Sequence, residues 1–194
     1  LSQAMIIAWI ILIYSMIYNR DATRKFIEKY YITIGFLIFT SFFLLLMDMY
    51  QNDASLSHSA SPIDNNYYFL FVITLVSSID IFAYISGKVF GKNKIINNIS
   101  PNKTLEGYLG GYVLTISLFI LFFSYKHISY TYIDLLYLTI FIFLAFFGDL
   151  FMSFVKRIYN RKDTSNILPG HGGILDRLDS YFPSLPLFYI WILS

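Results

Sequence analysis

No cysteine occurs in the 194 residues, which excludes disulfides and thiolate chemistry and leaves the redox compartment unread. Charge is also scarce: 13% of residues are Asp, Glu, Lys or Arg, against about 25% in soluble domains. The three histidines, His58, His127 and His171, are scattered, and no His/Cys cluster has zinc spacing. The net charge of +2 is too small to suggest a nucleic-acid partner. What the chain does have is apolar bulk, at 57% hydrophobic residues with 20 Phe and 17 Tyr. A water-soluble domain of this size would have to expose much of that surface in aggregation-prone patches. The composition therefore implies an all-α, polytopic integral membrane protein in one domain. Residues 1–66 supply N-terminal spans, and 67–194 the remaining spans with the densest polar stretches.

A span of the hydrocarbon core takes about 20 apolar residues. Six stretches qualify: 2–18, 31–50, 67–87, 107–125, 132–153 and 181–194, the last short and carrying Pro183 and Pro186. Residues 4–17 follow no basic region and precede no small-residue cleavage site, so they read as a membrane helix rather than a signal peptide. Because the chain begins at Leu1, an upstream segment is expected. The connecting loops alternate in charge. Loop 19–30 carries Arg20, Arg24, Lys25 and Lys29; loop 88–106 carries Lys88, Lys92, Lys94 and Lys103; loop 154–180 carries Lys156, Arg157, Arg161, Lys162 and Arg177. Loop 51–66 has no basic residue and loop 126–131 only Lys126. The positive-inside rule puts the basic loops in the cytoplasm. His58 and His127 then lie on the far side as solvated loop residues, and Asp48 sits near the outer end of its helix.

Two carboxylates fall inside spans. Asp80 precedes Gly87 by seven residues and Asp149 precedes Lys156 by seven, which sets each roughly 10 Å below a basic loop. An ionised carboxylate at that depth is costly unless it is paired, metal-bound or in a wet cavity. Asp149, Ser153 and Lys156 share a helix face at i, i+4 and i+7, and Asp176 and Asp179 share one at i, i+3 if that segment is helical. Carboxylates beside a Lys/Arg cluster suit a hard cation such as Mg²⁺ together with phosphate. A basic patch meeting anionic lipid is the plainer alternative. The turn Pro169-Gly170-His171-Gly172-Gly173 lets backbone amides approach an anion. Ser100-Pro101 reads as the start of a helix, with Lys103 and Glu106 in its first turn, where a cation is better explained if an anion binds there.

These residues resemble the signature of the phosphatidate cytidylyltransferases, also called CDP-diacylglycerol synthases. The match runs through Ser153, Lys156, Arg157, Lys162, Asp163, Pro169 to Gly173, Asp176, Arg177 and Asp179. A second block holds Asp80, Ala83, Tyr84, Gly87, Gly91, Ser100 to Thr104, Glu106 and Gly107, and a third is Gly148-Asp149. The chain departs from the family pattern at Ile81, where Thr is usual, at Met152, where many members have Glu, and at Ser165, where Gly is common. It is also shorter than most members.

The resemblance implies transfer of a cytidylyl group from CTP to phosphatidate, giving CDP-diacylglycerol and pyrophosphate at the cytoplasmic face of a bacterial inner membrane. Under it, Asp149, Asp176, Lys156, Arg157 and His171 are the catalytic set. Lys103, Thr104, Glu106, Ser153, Lys162, Asp163, Gly172, Gly173 and Arg177 hold substrate. Asp149, Asp176, Asp179 and Asp80 hold Mg²⁺, as one or two cations. CTP, phosphatidate and membrane lipid are the expected partners, with a homodimer as the expected assembly. The rival readings are a CTP-dependent lipid-alcohol kinase of the dolichol- or phytol-kinase kind, an ion-coupled transporter using Asp80 and Asp149, and a non-enzymatic lipid-binding protein.

Overall fold

The computed structural model describes residues 1–51, 65–96, 99–161, 163–165 and 173–193. In chain order the elements are α1 (Ser2–Tyr18), α2 (Arg20–Gln51), α3 (Asn65–Phe90), β1 (Lys94–Ile96), β2 (Ser100–Thr104), α4 (Leu105–Tyr125), α5 (Tyr132–Ile158), α6 (Leu175–Leu178) and α7 (Tyr181–Leu193). Helices occupy all six apolar stretches, so the chain is an all-α membrane bundle. Among the described residues four helices, α2, α3, α4 and α5, are long and apolar enough to cross a membrane. By contrast α1, with 17 residues, and α7, with 13, are shorter.

The loop expected at 19–30 is helical from Arg20. The Asn19 side chain accepts from the Ala22 amide at 3.0 Å, and Arg24 and Glu28 pair at i, i+4. Thr23 and Ile27 face inward while the basic residues face out. A kink at Tyr30, φ −119°, separates this surface segment from the apolar part of α2.

The region expected to start a helix at Ser100 is instead a β-hairpin. β1 and β2 pair antiparallel, with Lys94 opposite Thr104. Helix α4 starts at Leu105 with Thr104 as its cap, whose hydroxyl accepts from the Gly107 amide at 3.1 Å. Thr104 outcompetes Ser100 because the strand pairing has already claimed residues 100–104. Lys103 is thus a strand residue and not a first-turn helical one.

Helices α3 and α4 form a very close contact. Ala83 and Gly87 on one helix and Gly107 and Gly111 on the other recur every fourth residue, the small-residue spacing that lets helix backbones touch in a bilayer. A Cβ on Gly107 would lie 2.7 Å from the Ala83 carbonyl oxygen and 2.9 Å from Gly87 Cα. The residues on either side of the hairpin are held together by this contact.

Although it is the shortest of the apolar helices, α7 is the innermost. It packs against α5, α1, α2 and α3, and Phe182, Leu185, Phe188, Tyr189, Trp191 and Ile192 are all buried. Pro186 lies within it, a residue that membrane helices accommodate when neighbours cover the freed carbonyl. Phe182 meets Phe42 edge-on at 4.9 Å and Trp9 meets Phe151 at 5.4 Å, a geometry favoured by ring quadrupoles. At its far end α7 is anchored by polar contacts. Trp191 Nε1 donates to Asp134 at 2.7 Å and the Tyr189 hydroxyl donates to Asp48. Asp134 also closes a capping box with Thr131 at the start of α5.

Candidate active site

The site lies where the end of α5 meets the hairpin and the α6 segment. Helix α5 presents Asp149, Ser153 and Lys156 along one face, as their spacing requires, and the Ser153 hydroxyl donates to Asp149 Oδ1 at 3.4 Å. From β2, Lys103 extends to Asp149 and forms a salt bridge with its Oδ2, both side chains about one-quarter exposed. The Lys103 ammonium also sits 5.3 Å from the centroid of the Phe146 ring, a cation–π contact. Arg157 takes another direction: Nε donates to the Ile99 carbonyl at 3.2 Å and Nη1 to the Arg161 carbonyl at 3.2 Å.

A second ion pair lies two turns along the same face. Lys156 Nζ donates to Asp176 Oδ1 at 2.8 Å, with 14% and 11% of the two side chains exposed. The other Asp176 oxygen accepts from the Thr164 amide and hydroxyl, each at 2.9 Å, and from the Gly173 amide at 2.8 Å. Burial pushes this carboxyl up, but the Lys156 ammonium and the two amides outweigh it and hold it at about 2. Asp176 therefore joins residues 163–165 and 173–176 into one unit. Thr164 was missed from the sequence, which carries no signal for it beyond its place after Asp163.

Asp179 is buried at 7% exposure, and its Oδ1 accepts from the Ser180 amide at 2.8 Å. Burial first, and the Asp149 carboxylate second, push its carboxyl well above the usual carboxylate range. Asp80 on α3 lies within electrostatic reach of Asp149, Lys103 and Arg177. Asp80 and Asp149, which spacing sets at one depth, thus lie near enough for their charges to interact. Asp179 joins them because α5 and α7 touch at Gly148. A Cβ there would lie 2.4 Å from Pro183 Cγ and 2.7 Å from the Asp179 carbonyl oxygen.

Glu106 stands apart from this group. Its carboxylate accepts from the Lys92 amide at 3.0 Å, from the Asn93 amide at 3.1 Å and from Asn93 Nδ2 at 2.7 Å. Thr104 serves as a helix cap, while Asp163 and Arg177 are exposed. Lys162 and Pro169 to Gly172, His171 among them, lie outside the described residues, as does His58.

Among the described residues no three carboxylate or imidazole side chains converge closely enough to enclose a metal ion. The donor chemistry nevertheless fits a hard cation. Asp80, Asp149 and Asp179 share one field, and Lys103 is the cation paired within it. Mg²⁺ characteristically takes one or two protein carboxylates and completes its shell with water and phosphate.

Residues 2–194 match the cytidylyltransferase family. A phosphatidate cytidylyltransferase of Bacillus subtilis is 45% identical over 125 residues, covering 63% of this chain and 46% of the relative. One from Staphylococcus haemolyticus is 38% identical over 154 residues, covering 78% and 59%. One from Rickettsia bellii is 39% identical over 139 residues, covering 68% and 59%. The matched part of the chain thus spans about half the length of these relatives. Carboxylates paired with lysines at the end of an apolar bundle, in a sequence that matches the family from end to end, place this chain in the cytidylyltransferase family.

Proposed function

We propose that the chain transfers the cytidylyl group of CTP to phosphatidate, giving CDP-diacylglycerol and pyrophosphate at the cytoplasmic face of the membrane. The observation that carries this reading is the pair of ion pairs, Lys103–Asp149 and Lys156–Asp176, on one face of α5. They set two ammonium groups and two carboxylates where a membrane-held lipid phosphate and a soluble triphosphate can meet. An oxygen of the lipid phosphate attacks the α-phosphorus of CTP. The new P–O bond forms as the bond to the β-phosphate oxygen breaks, and pyrophosphate leaves with that electron pair. A phosphate monoester with its second pKa near 6 is largely dianionic at neutral pH, so little general-base help is required.

What the protein contributes is positioning and charge neutralisation. Lys103 and Lys156 turn from their carboxylates toward phosphate oxygens, and the exposed Arg177 and Arg161 add charge at the rim. Asp149, with Asp179 or Asp80 beside it, would hold Mg²⁺ as one or two protein carboxylates, water and phosphate completing the shell. The ion would supply charge neutralisation of the triphosphate.

The test uses purified protein in detergent with phosphatidate, Mg²⁺ and CTP labelled at either the α- or the γ-phosphate. Label from the α-position in lipid is expected; label from the γ-position would mean kinase chemistry and would overturn the reading. Chelating divalent cations should abolish incorporation, and adding Mg²⁺ back should restore it. Asp149→Asn should cut α-label incorporation on the order of a hundredfold or more, a typical cost of removing one preorganised charge contact from a reaction centre. Asn keeps the size of the side chain but loses the charge paired with Lys103, so the variant should insert like the parent and melt somewhat lower.

A further inference from the structure

The hairpin spanning β1 and β2 is the element that brings Lys103 to Asp149, and two side chains fasten it. At its base, Glu106 accepts the Lys92 and Asn93 amides and the Asn93 side chain, while the Leu105 amide donates to the Asn93 carbonyl at 2.8 Å. Near its turn, Arg157 Nε donates to the carbonyl of Ile99, a residue only 4% exposed. Lys103 lies on β2 between these two anchor points.

Strands of 3 and 5 residues are too short to hold their own register. Glu106 sits in the first turn of α4, where its charge suits the helix dipole and its reach back to residues 92 and 93 ties the hairpin to the helix. Arg157 belongs to α5, the helix that carries Asp149 and Lys156. The two anchors therefore lock the strand holding Lys103 to the helix holding its partner.

We infer that Glu106 and Arg157 are positioning residues, which act by fastening the hairpin so that Lys103 is held at Asp149. The role of Lys103 toward phosphate rests on the proposed function; the fastening does not. In this arrangement Arg157 and Glu106 act through the hairpin rather than through contact with nucleotide.

The full chain in detergent is treated with an amine-acylating reagent, and the labelling rate of each lysine is read by mass spectrometry. Glu106→Gln and Arg157→Ala are compared with the parent. Hydrogen bonds to charged groups are strong enough that losing either anchor should raise Lys103 labelling about tenfold. Lys156, held separately by Asp176, should label at the parent rate. Transfer of the α-phosphate of CTP to lipid should fall by a similar factor. Lys103 labelling within about twofold of the parent in both variants would overturn the inference, since hydrogen bonds of this strength must register if they hold the strand. So would a parallel rise at Lys103 and Lys156, which would mean general loosening. If the parent protein shows no cytidylyl transfer, the proposed function fails, and the labelling still decides whether the hairpin is fastened this way.

Discussion

Asp176→Ala is expected to destabilise the protein by about 2–4 kcal/mol, since several hydrogen bonds to one charged, part-buried carboxylate are lost together, and to abolish activity with it. The side chain is 11% exposed and its oxygens accept from Lys156, the Thr164 amide and hydroxyl and the Gly173 amide. Alanine would leave an ammonium and two amides without acceptors, and residues 163–165 would lose their tie to 173–176. Asp176→Asn should be milder, about 1.5–3 kcal/mol, because one oxygen remains to accept while the amide nitrogen faces a donor. Thermal unfolding in detergent, followed beside lipid labelling, separates the two effects. Unchanged melting in both variants would show that the carboxylate does not hold this segment together.

The second large effect concerns the contact between α5 and α7. Gly148→Ala is expected to cost about 1–3 kcal/mol and Gly148→Leu more, as overpacked sites do. The added atoms would meet Pro183 Cγ at 2.4 Å, and the Asp179 carbonyl oxygen at 2.7 Å cannot simply rotate away. Separating these helices also moves Asp179 away from Asp149, so activity should fall along with melting temperature. Gly35 provides the comparison. Nothing lies within 4 Å of a Cβ placed there, and Gly35→Ala should be neutral or stabilising by up to about 1 kcal/mol. Equal melting of the Gly148 and Gly35 variants would show that the α5–α7 contact is not tight.

The apolar segments were legible because span length and composition are imposed by the bilayer itself. The depth match of Asp80 with Asp149 was legible for the same reason, since rise per residue converts spacing into depth. The hairpin was not legible. Its strands contain Lys, Asn, Ser and Pro, and what secures them is a Glu106 carboxylate bound to amides 13 and 14 residues earlier in the chain. Those amides leave no mark in side-chain composition. Ser100-Pro101 looked like a helix start, and only the strand pairing moved the cap to Thr104. Arg157 illustrates the opposite limit. Its place in a basic motif suggested a phosphate ligand, yet two of its donors are spent on the carbonyls of Ile99 and Arg161. The approach of Asp179 to Asp149 depends on a backbone contact at Gly148, which only the packed bundle reveals.

The burial of α7 has a consequence for biogenesis. It is made after α1 to α5, yet it comes to rest among α1, α2, α3 and α5. The packing of α1, α2, α3 and α5 seen in the finished bundle can therefore be reached only after the segment they surround has been made. Asp179 arrives just ahead of that segment, so its approach to Asp149 waits until α7 has been made. A nascent chain stalled before residue 179 would hold both Lys103 and Asp149 but lack the helix that packs against α5 at Gly148.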